Sequence, residues 1–309
     1  ITESRSHHRG LIFGIIKQCY LRYIKISLEL MRPKAVITFI DNSGTFGWMA
    51  KNCGNFPFIA IQNGSRHSFQ ASPNSEYYVP HYFCFGEHEQ NLFPKLGYKV
   101  DHFYPVGSLA ASQNLLPEEQ VEEKYDLLVI STWRGDIGFQ QNVQDTMRSM
   151  KIMDQLLAKY LNEHDIKAAL IYRSERDSEN WIIPEIGLSE EEYYQDIYGD
   201  TIEHIETDIT IRNIFPLMQQ SEMVISCLST AAIEAYGLGK KTLFCNLTGT
   251  DLYHQDIDNE ILTKDKEYFS FCGVLNRIFS MEQEEYIKEH RERMRFYMNF
   301  ESETSVEVR

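Results

Sequence analysis

A chain of 309 residues with 43% hydrophobic and 13% aromatic residues is long enough for two domains with separate cores and too apolar to stay disordered. Its formal net charge of −15 argues against nucleic acid, which needs a basic face to displace counterions. That charge still admits a small anionic ligand held by local arginines and helix N-termini.

The first predicted element is a helix over Leu11–Met31, too interrupted by Lys17, Gln18, Arg22, Lys25 and Glu29 to span a membrane. It reads as amphipathic, and no small-residue cleavage site follows to make it a signal peptide. Short apolar runs come next at Ala35–Ile40, Phe56–Ile61, Tyr82–Phe85 and His102–Val106, with helical stretches near 44–53 and 87–97. Runs without clean alternation suit parallel strands covered on both faces. Each ends in small or polar residues: Asp41 to Gly44, Gln62 to Ser65, Gly86 to His88, and Gly107-Ser108. Loops at strand carboxyl ends are where open α/β sheets bind ligands.

Residues 108–125, with Pro117, Glu118, Glu119, Glu122 and Glu123, read as a linker. The rhythm restarts with Asp126–Ile130, a helix near 140–163, Lys167–Tyr172, an acidic segment at 189–200 and Thr201–Ile205. A helix near 210–220, Met223–Ser226, a helix at 229–238, Lys241–Cys245 and a charged helix over 282–298 complete it. The expected architecture is therefore α/β, with a domain over 1–115 and another over 116–309, each doubly wound.

The six cysteines form no C-x-x-C pair, and Cys84, Cys227 and Cys245 lie in apolar strand-like runs, which suits a reducing, cytoplasmic setting. The Asn246-Leu-Thr sequon is then fortuitous.

Ile225–Gly239 carries the strongest site signal: a buried strand, a polar turn with Ser229 and Thr230, and a small-residue helix. That geometry aims backbone N–H groups and two hydroxyls at one spot, as a phosphate requires. Glu234 lies one turn further along the same face, where its carboxylate can accept ribose hydroxyls. The competing reading makes Ser229 a helix cap and Glu234 a solvated residue.

This strand, Ser-Thr turn and Glu-Ala helix, followed by Gly239-Lys-Lys241 and another strand, resembles the C-terminal domain of GT-B glycosyltransferases. Ile37–Asn42 followed by Phe58–Arg66 resembles bacterial surface-carbohydrate biosynthesis transferases. Leu128–Gly135 is similar to the Pro-Thr-Trp-Arg segment of CDP-glycerol glycerophosphotransferases, with Ser131 in place of the proline. The His-Pro pair of those enzymes is replaced by Arg173-Ser-Glu-Arg176, which argues against glycerophosphate transfer.

The resemblance implies two Rossmann-like domains facing across a cleft (GT-B type), a nucleotide-sugar donor, a glycan or glycolipid acceptor, and no metal or other cofactor. A GT-B N-terminal domain ordinarily has more strands than the four found here. Together with a chain opening on Ile1 rather than Met, this is consistent with a trimmed or short N-terminus. Peripheral membrane association stays open.

The donor is assigned to Ser229, Thr230, Glu234, Arg134, Arg173 and Arg176. The alternative for Arg134 is pairing with Asp136, and for Arg173 or Arg176 pairing with Glu175 or Asp177. A guanidinium at a strand end can hold a diphosphate bidentately.

Asp41 is the first candidate for the base that deprotonates an acceptor hydroxyl, with capping of the next helix as its alternative. Glu87 and His88 are the next candidates, and Asn42, Gln62, Asn63 and Arg66 are expected to line the cleft. His67 reads as a surface residue, Asp256-Ile-Asp258 lies beyond the last confident strand, and His7-His8 is too terminal for a metal. A non-hydrolysing sugar-nucleotide epimerase and a catalytically silent binding subunit fit the same residues.

Overall fold

The computed structural model describes the chain except for residues 1, 67–76, 134–140, 174–186, 228, 251–256, 258 and 300–309. It divides into two compact units, one running to Pro105, the other from Val106 onward together with Ser65 and Arg66.

The first unit comprises α1 (Thr2–Met31), β1 (Val36–Thr38), α2 (Gly44–Asn52), β2 (Phe58–Ile61), β3 (Tyr78–Cys84), α3 (His88–Lys95) and β4 (Lys99–Pro105). Its four strands pair in chain order and all run parallel, with Ile37 opposite Ile59, Ala60 opposite Tyr82 and Tyr82 opposite Phe103. Phe93 of α3 organises the core, its ring meeting Tyr77 at 6.1 Å, Tyr82 at 5.0 Å, Tyr98 at 5.3 Å and Phe103 at 5.8 Å. Such tilted and edge-on pairs add about 0.5–1.5 kcal/mol each beyond the area they bury.

The second unit holds α4 (Leu109–Asn114), β5 (Tyr125–Ile130), α5 (Gln141–Glu163), β6 (Ala168–Ile171), α6 (Glu190–Tyr198), β7 (Glu203–Ile205), α7 (Ile214–Gln219) and β8 (Ser221–Ser226). It continues with α8 (Thr230–Gly237), β9 (Lys241–Cys245), β10 (Leu262–Thr263), α9 (Tyr268–Ser280) and α10 (Gln283–Tyr297). The six strands are parallel in the order β10-β9-β8-β5-β6-β7, so the winding reverses between β5 and β8. Ridged by apolar residues on both faces, β5, β6, β8 and β9 are buried almost throughout.

Three elements differ from the sequence expectation. The division between units falls at Pro105 rather than near residue 115, and part of the expected linker is the helix α4. Ala111 packs with Phe215, Leu217 and Met218, and Gln219 brackets Leu116 by accepting its N–H at 2.6 Å and donating to its carbonyl at 3.0 Å. The short strand β10 and the helix α9 lie in a stretch for which no element was expected. There Phe271, Leu275 and Ile278 form a buried stripe at helical spacing.

The core of this unit also contains a wholly buried carboxyl group, that of Asp154 on α5, accepting from Tyr193 at 3.0 Å and Tyr198 at 2.8 Å. Burial pushes it up to about 7 against the pull of the two phenols. The unfolded carboxyl releases its proton near the ordinary value while the folded one keeps it, so stability falls as pH rises toward 7. Asp154→Asn removes that dependence. Comparing thermal unfolding at pH 5 and pH 8, the variant should gain on the wild type by on the order of 2 kcal/mol at the higher pH. An unchanged difference would show that this carboxyl does not titrate on folding.

Candidate functional site

In an open parallel sheet the strand carboxyl ends share one edge, and ligands bind where the winding reverses. Here that point lies between the ends of β5 and β8. Two loops leave it, Ser131-Thr132-Trp133 after β5, and Cys227 with Ser229 and Thr230 after β8.

The β5 loop is locked from beneath. Ser131 donates its hydroxyl to Glu190 at 2.5 Å and accepts from the Trp133 N–H and the Tyr194 hydroxyl, each at 3.1 Å. Glu190 also accepts the Arg173 N–H at 2.7 Å, and the Arg173 guanidinium donates to the Trp133 carbonyl at 2.8 Å. Trp133 is fully buried, its ring 5.2 Å from that of Tyr193. With the flanking residues so fixed, Thr132 is buried with a hydroxyl that has no oxygen or nitrogen partner among the described residues, its neighbour being the Cys227 thiol. Burial holds that thiol well above its ordinary range, so Cys227 is no nucleophile.

Across the reversal, Ser229 caps α8 by accepting the Ala231 N–H at 3.2 Å. Thr230 opens the helix, and its hydroxyl accepts the Ser65 N–H at 3.0 Å and lies 3.3 Å from the Ser65 hydroxyl. Glu234, one turn on, is buried rather than solvated, and Ser108 donates its hydroxyl to it while capping α4 through the Ala111 N–H at 3.2 Å. Burial pushes Glu234 up to about 7, while the Ser108 bond and the Arg212 charge pull the other way.

The expected donor residues thus converge only in part. Ser229, Thr230 and Glu234 share α8, and Arg173 lies by the β5 loop with one guanidinium nitrogen bound to backbone. Arg134 and Arg176 lie outside the described residues, as do His67 and the Asp256-x-Asp258 pair.

On the first unit, Asp41 is buried, only 1% exposed, rather than open at its strand end. Its carboxylate accepts from the Tyr82 hydroxyl at 2.6 Å and the Asn63 N–H at 3.3 Å, and its carbonyl accepts from the Tyr77 hydroxyl. Nor is it the cap of α2, a task done by Ser43, which accepts the Phe46 N–H at 3.2 Å. Gln62 is buried as well, donating to Glu89 at 2.7 Å and Gly64 at 3.0 Å while accepting the Phe85 N–H at 2.7 Å. It ties two backbone positions to the Glu89 carboxylate. Arg66 is buried, with one guanidinium nitrogen 3.3 Å from the Ser65 carbonyl. Asn42, Asn63 and Glu87 are exposed, and His88, partly buried, opens α3 at the end of β3.

Thr132, Ser108 and Ser65 escaped the sequence reading. Thr132 lies inside the motif that singled out Arg134, whereas Ser108 and Ser65 reach Glu234 and Thr230 from positions 126 and 165 residues away. Among the described residues, ligand atoms of Glu260, Glu289 and His290 lie within 4.8 Å of one another, close enough to share a cation. Glu260 precedes β10, so this trio lies at the opposite, amino edge of the sheet from the β5–β8 reversal.

No protein-family model matches the chain, and a search of curated proteins finds no match. Solved structures do match in fold. The S. aureus MnaA–UDP co-structure shares 15% identity over 96% of this chain and 79% of its own, with a TM-score of 0.56. A UDP-N-acetylglucosamine 2-epimerase shares 15% over 93% and 74%, with a TM-score of 0.54. A glycosyltransferase from Rickettsia africae ESF-5 shares 13% over 93% and 78%, with a TM-score of 0.51. The fold is therefore the two-unit parallel α/β type that the GT-B resemblance implied. No helix among the described residues is long and apolar enough to cross a membrane.

The Asp41 geometry predicts a folding role. Asp41→Asn leaves one acceptor oxygen for two donors, and should cost about 1–3 kcal/mol in thermal or urea unfolding. A melting curve superimposable on that of the wild type would mean that these bonds do not hold the loop.

Proposed function

We propose that the chain is a nucleotide-sugar-using enzyme of GT-B type that transfers a sugar to a bacterial surface polysaccharide or glycolipid. One observation carries this reading: the winding reversal of the second sheet gathers the buried Thr132 hydroxyl and the capped start of α8 at a single edge. Hydroxyls and free N–H groups in that setting suit a diphosphate. In this reading Thr132, Ser229 and Thr230 face the phosphates, and Arg134, Arg173 and Arg176 supply positive charge. Glu234, bound by Ser108 through one oxygen, receives a ribose hydroxyl on the other.

In transfer, the bond from the sugar's anomeric carbon to the diphosphate oxygen breaks as the acceptor oxygen bonds to that carbon. The acceptor proton passes to a base, and the nucleotide leaves with the bonding pair. With Asp41 buried, the role of base falls to Glu87 or His88, at the start of α3. An epimerase is the second reading, supported by the fold shared with a UDP-N-acetylglucosamine 2-epimerase. It needs no acceptor.

Incubation with a panel of CMP-, UDP-, GDP- and dTDP-sugars separates the two readings. Nucleotide release that requires an added glycan acceptor is expected, sugar interconversion without acceptor would establish the epimerase, and binding without turnover a silent subunit. Thr132→Val should weaken binding of the preferred nucleotide by about 1–2 kcal/mol in calorimetry, the loss of one buried hydrogen bond. Unchanged affinity would remove the β5 loop from the site. Glu87→Gln or His88→Asn should lower turnover by about 10²–10⁴ with nucleotide affinity preserved. If both variants turn over normally, the base lies elsewhere.

A further inference from the structure

The helix α1 packs on the first unit through Leu21, buried, and through Ile24 and Leu28, partly buried. The opposite face carries Ile16, Cys19, Tyr23, Ile26 and Leu30, spaced alternately by three and four residues. That is the a/d pattern of a helix-pairing seam, not of a helix with one buried side. All five are exposed, Tyr23 to 70% and Leu30 to 78%. Ile15, Tyr20 and Met31 beside it are exposed as well, so the face is a continuous apolar patch of the kind that marks an interaction surface.

We propose that the seam is covered by the same helix of a second copy of the chain, the two α1 helices running antiparallel about a two-fold axis between Tyr23 and Ile26. Charge selects this partner and direction. Arg22 and Glu29 lie along the same flank of the seam, one heptad apart. In an antiparallel pair like flanks meet, so Arg22 faces Glu29 of the partner subunit, twice by symmetry. A parallel pair would set Arg22 toward the flank bearing Tyr20 and Ser27, with no opposite charge, and would bring the two Cys19 residues face to face. Glu29 is loosely held within its own chain, by Lys25 at 3.8 Å, and both are exposed enough to exchange partners. A bilayer offers Glu29 no opposite charge on the seam's flank, whereas a second copy does.

Sedimentation equilibrium of the full chain at micromolar concentrations should show a dimer. Ile26→Glu should raise its dissociation constant at least about 100-fold, with the melting temperature of the monomer unchanged because Ile26 is exposed. Arg22→Glu should weaken the dimer roughly fivefold, and adding Glu29→Arg in the same chain should restore it. Oxidation should cross-link the L30C variant through Cys19 of the partner subunit, and the cross-link should vanish when Cys19→Ser is added. A monomer at all concentrations, a dimer indifferent to Ile26→Glu, or a Cys19–Cys19 cross-link in the wild type would overturn the proposal. So would a monomer that cosediments with phosphatidylglycerol vesicles and loses that binding on Ile26→Glu.

Discussion

The pairing of β5 with β8 is the constraint on which the rest of the second unit depends. Both strands are parallel and buried on both faces, yet the chain reaches their outer neighbours by winding in opposite directions. The loops at their carboxyl ends must therefore part, and the edge between them opens. Ser226 donates to the Ile130 carbonyl at 2.9 Å, and the Ser131 N–H donates to the Ile171 carbonyl at 3.2 Å, so the three strand ends stay aligned where the loops begin.

Within each unit, buried polar groups act chiefly as braces. Glu190 joins Ser131 to the Arg173 backbone, Ser108 joins Glu234 to the start of α4, and Gln62 joins Glu89 to two backbone positions. Each brace places a carboxylate or amide where water is excluded, so every lone pair and proton has to be matched within the protein. Such groups fix loop conformation, and Thr132 keeps a buried hydroxyl with capacity to spare among the described residues.

The strands other than the two-residue β10 were legible in the sequence because short apolar runs bounded by glycine and polar residues have few other solutions. Ser229 was legible as a helix start for the same local reason. What escaped depends on distant partners. Asp41 looks like an open strand-end carboxylate until Tyr82 of β3 binds its carboxylate and Tyr77, just before β3, its carbonyl, and nothing local to residue 41 announces either phenol. The burial of Glu234 was not legible, because Ser108, 126 residues away, and the neighbours of α8 supply it. The helix α4 was hidden because Ala110 and Ala111 give only a weak apolar signal among serine, glutamine and asparagine.

The Ser226–Ile130 bond spans 96 residues, and this distance has a kinetic meaning. Closing so long a loop costs entropy before the strand pairing returns any stability. During synthesis β5 emerges with β6 as an available neighbour, while its other edge stays unpaired until β8 leaves the ribosome. In that interval the strand that anchors the candidate site is a bare, apolar edge, the kind other chains pair with. The order of synthesis thus leaves the region of the proposed site unprotected on one side until β8 is made, and open to misassembly in that interval.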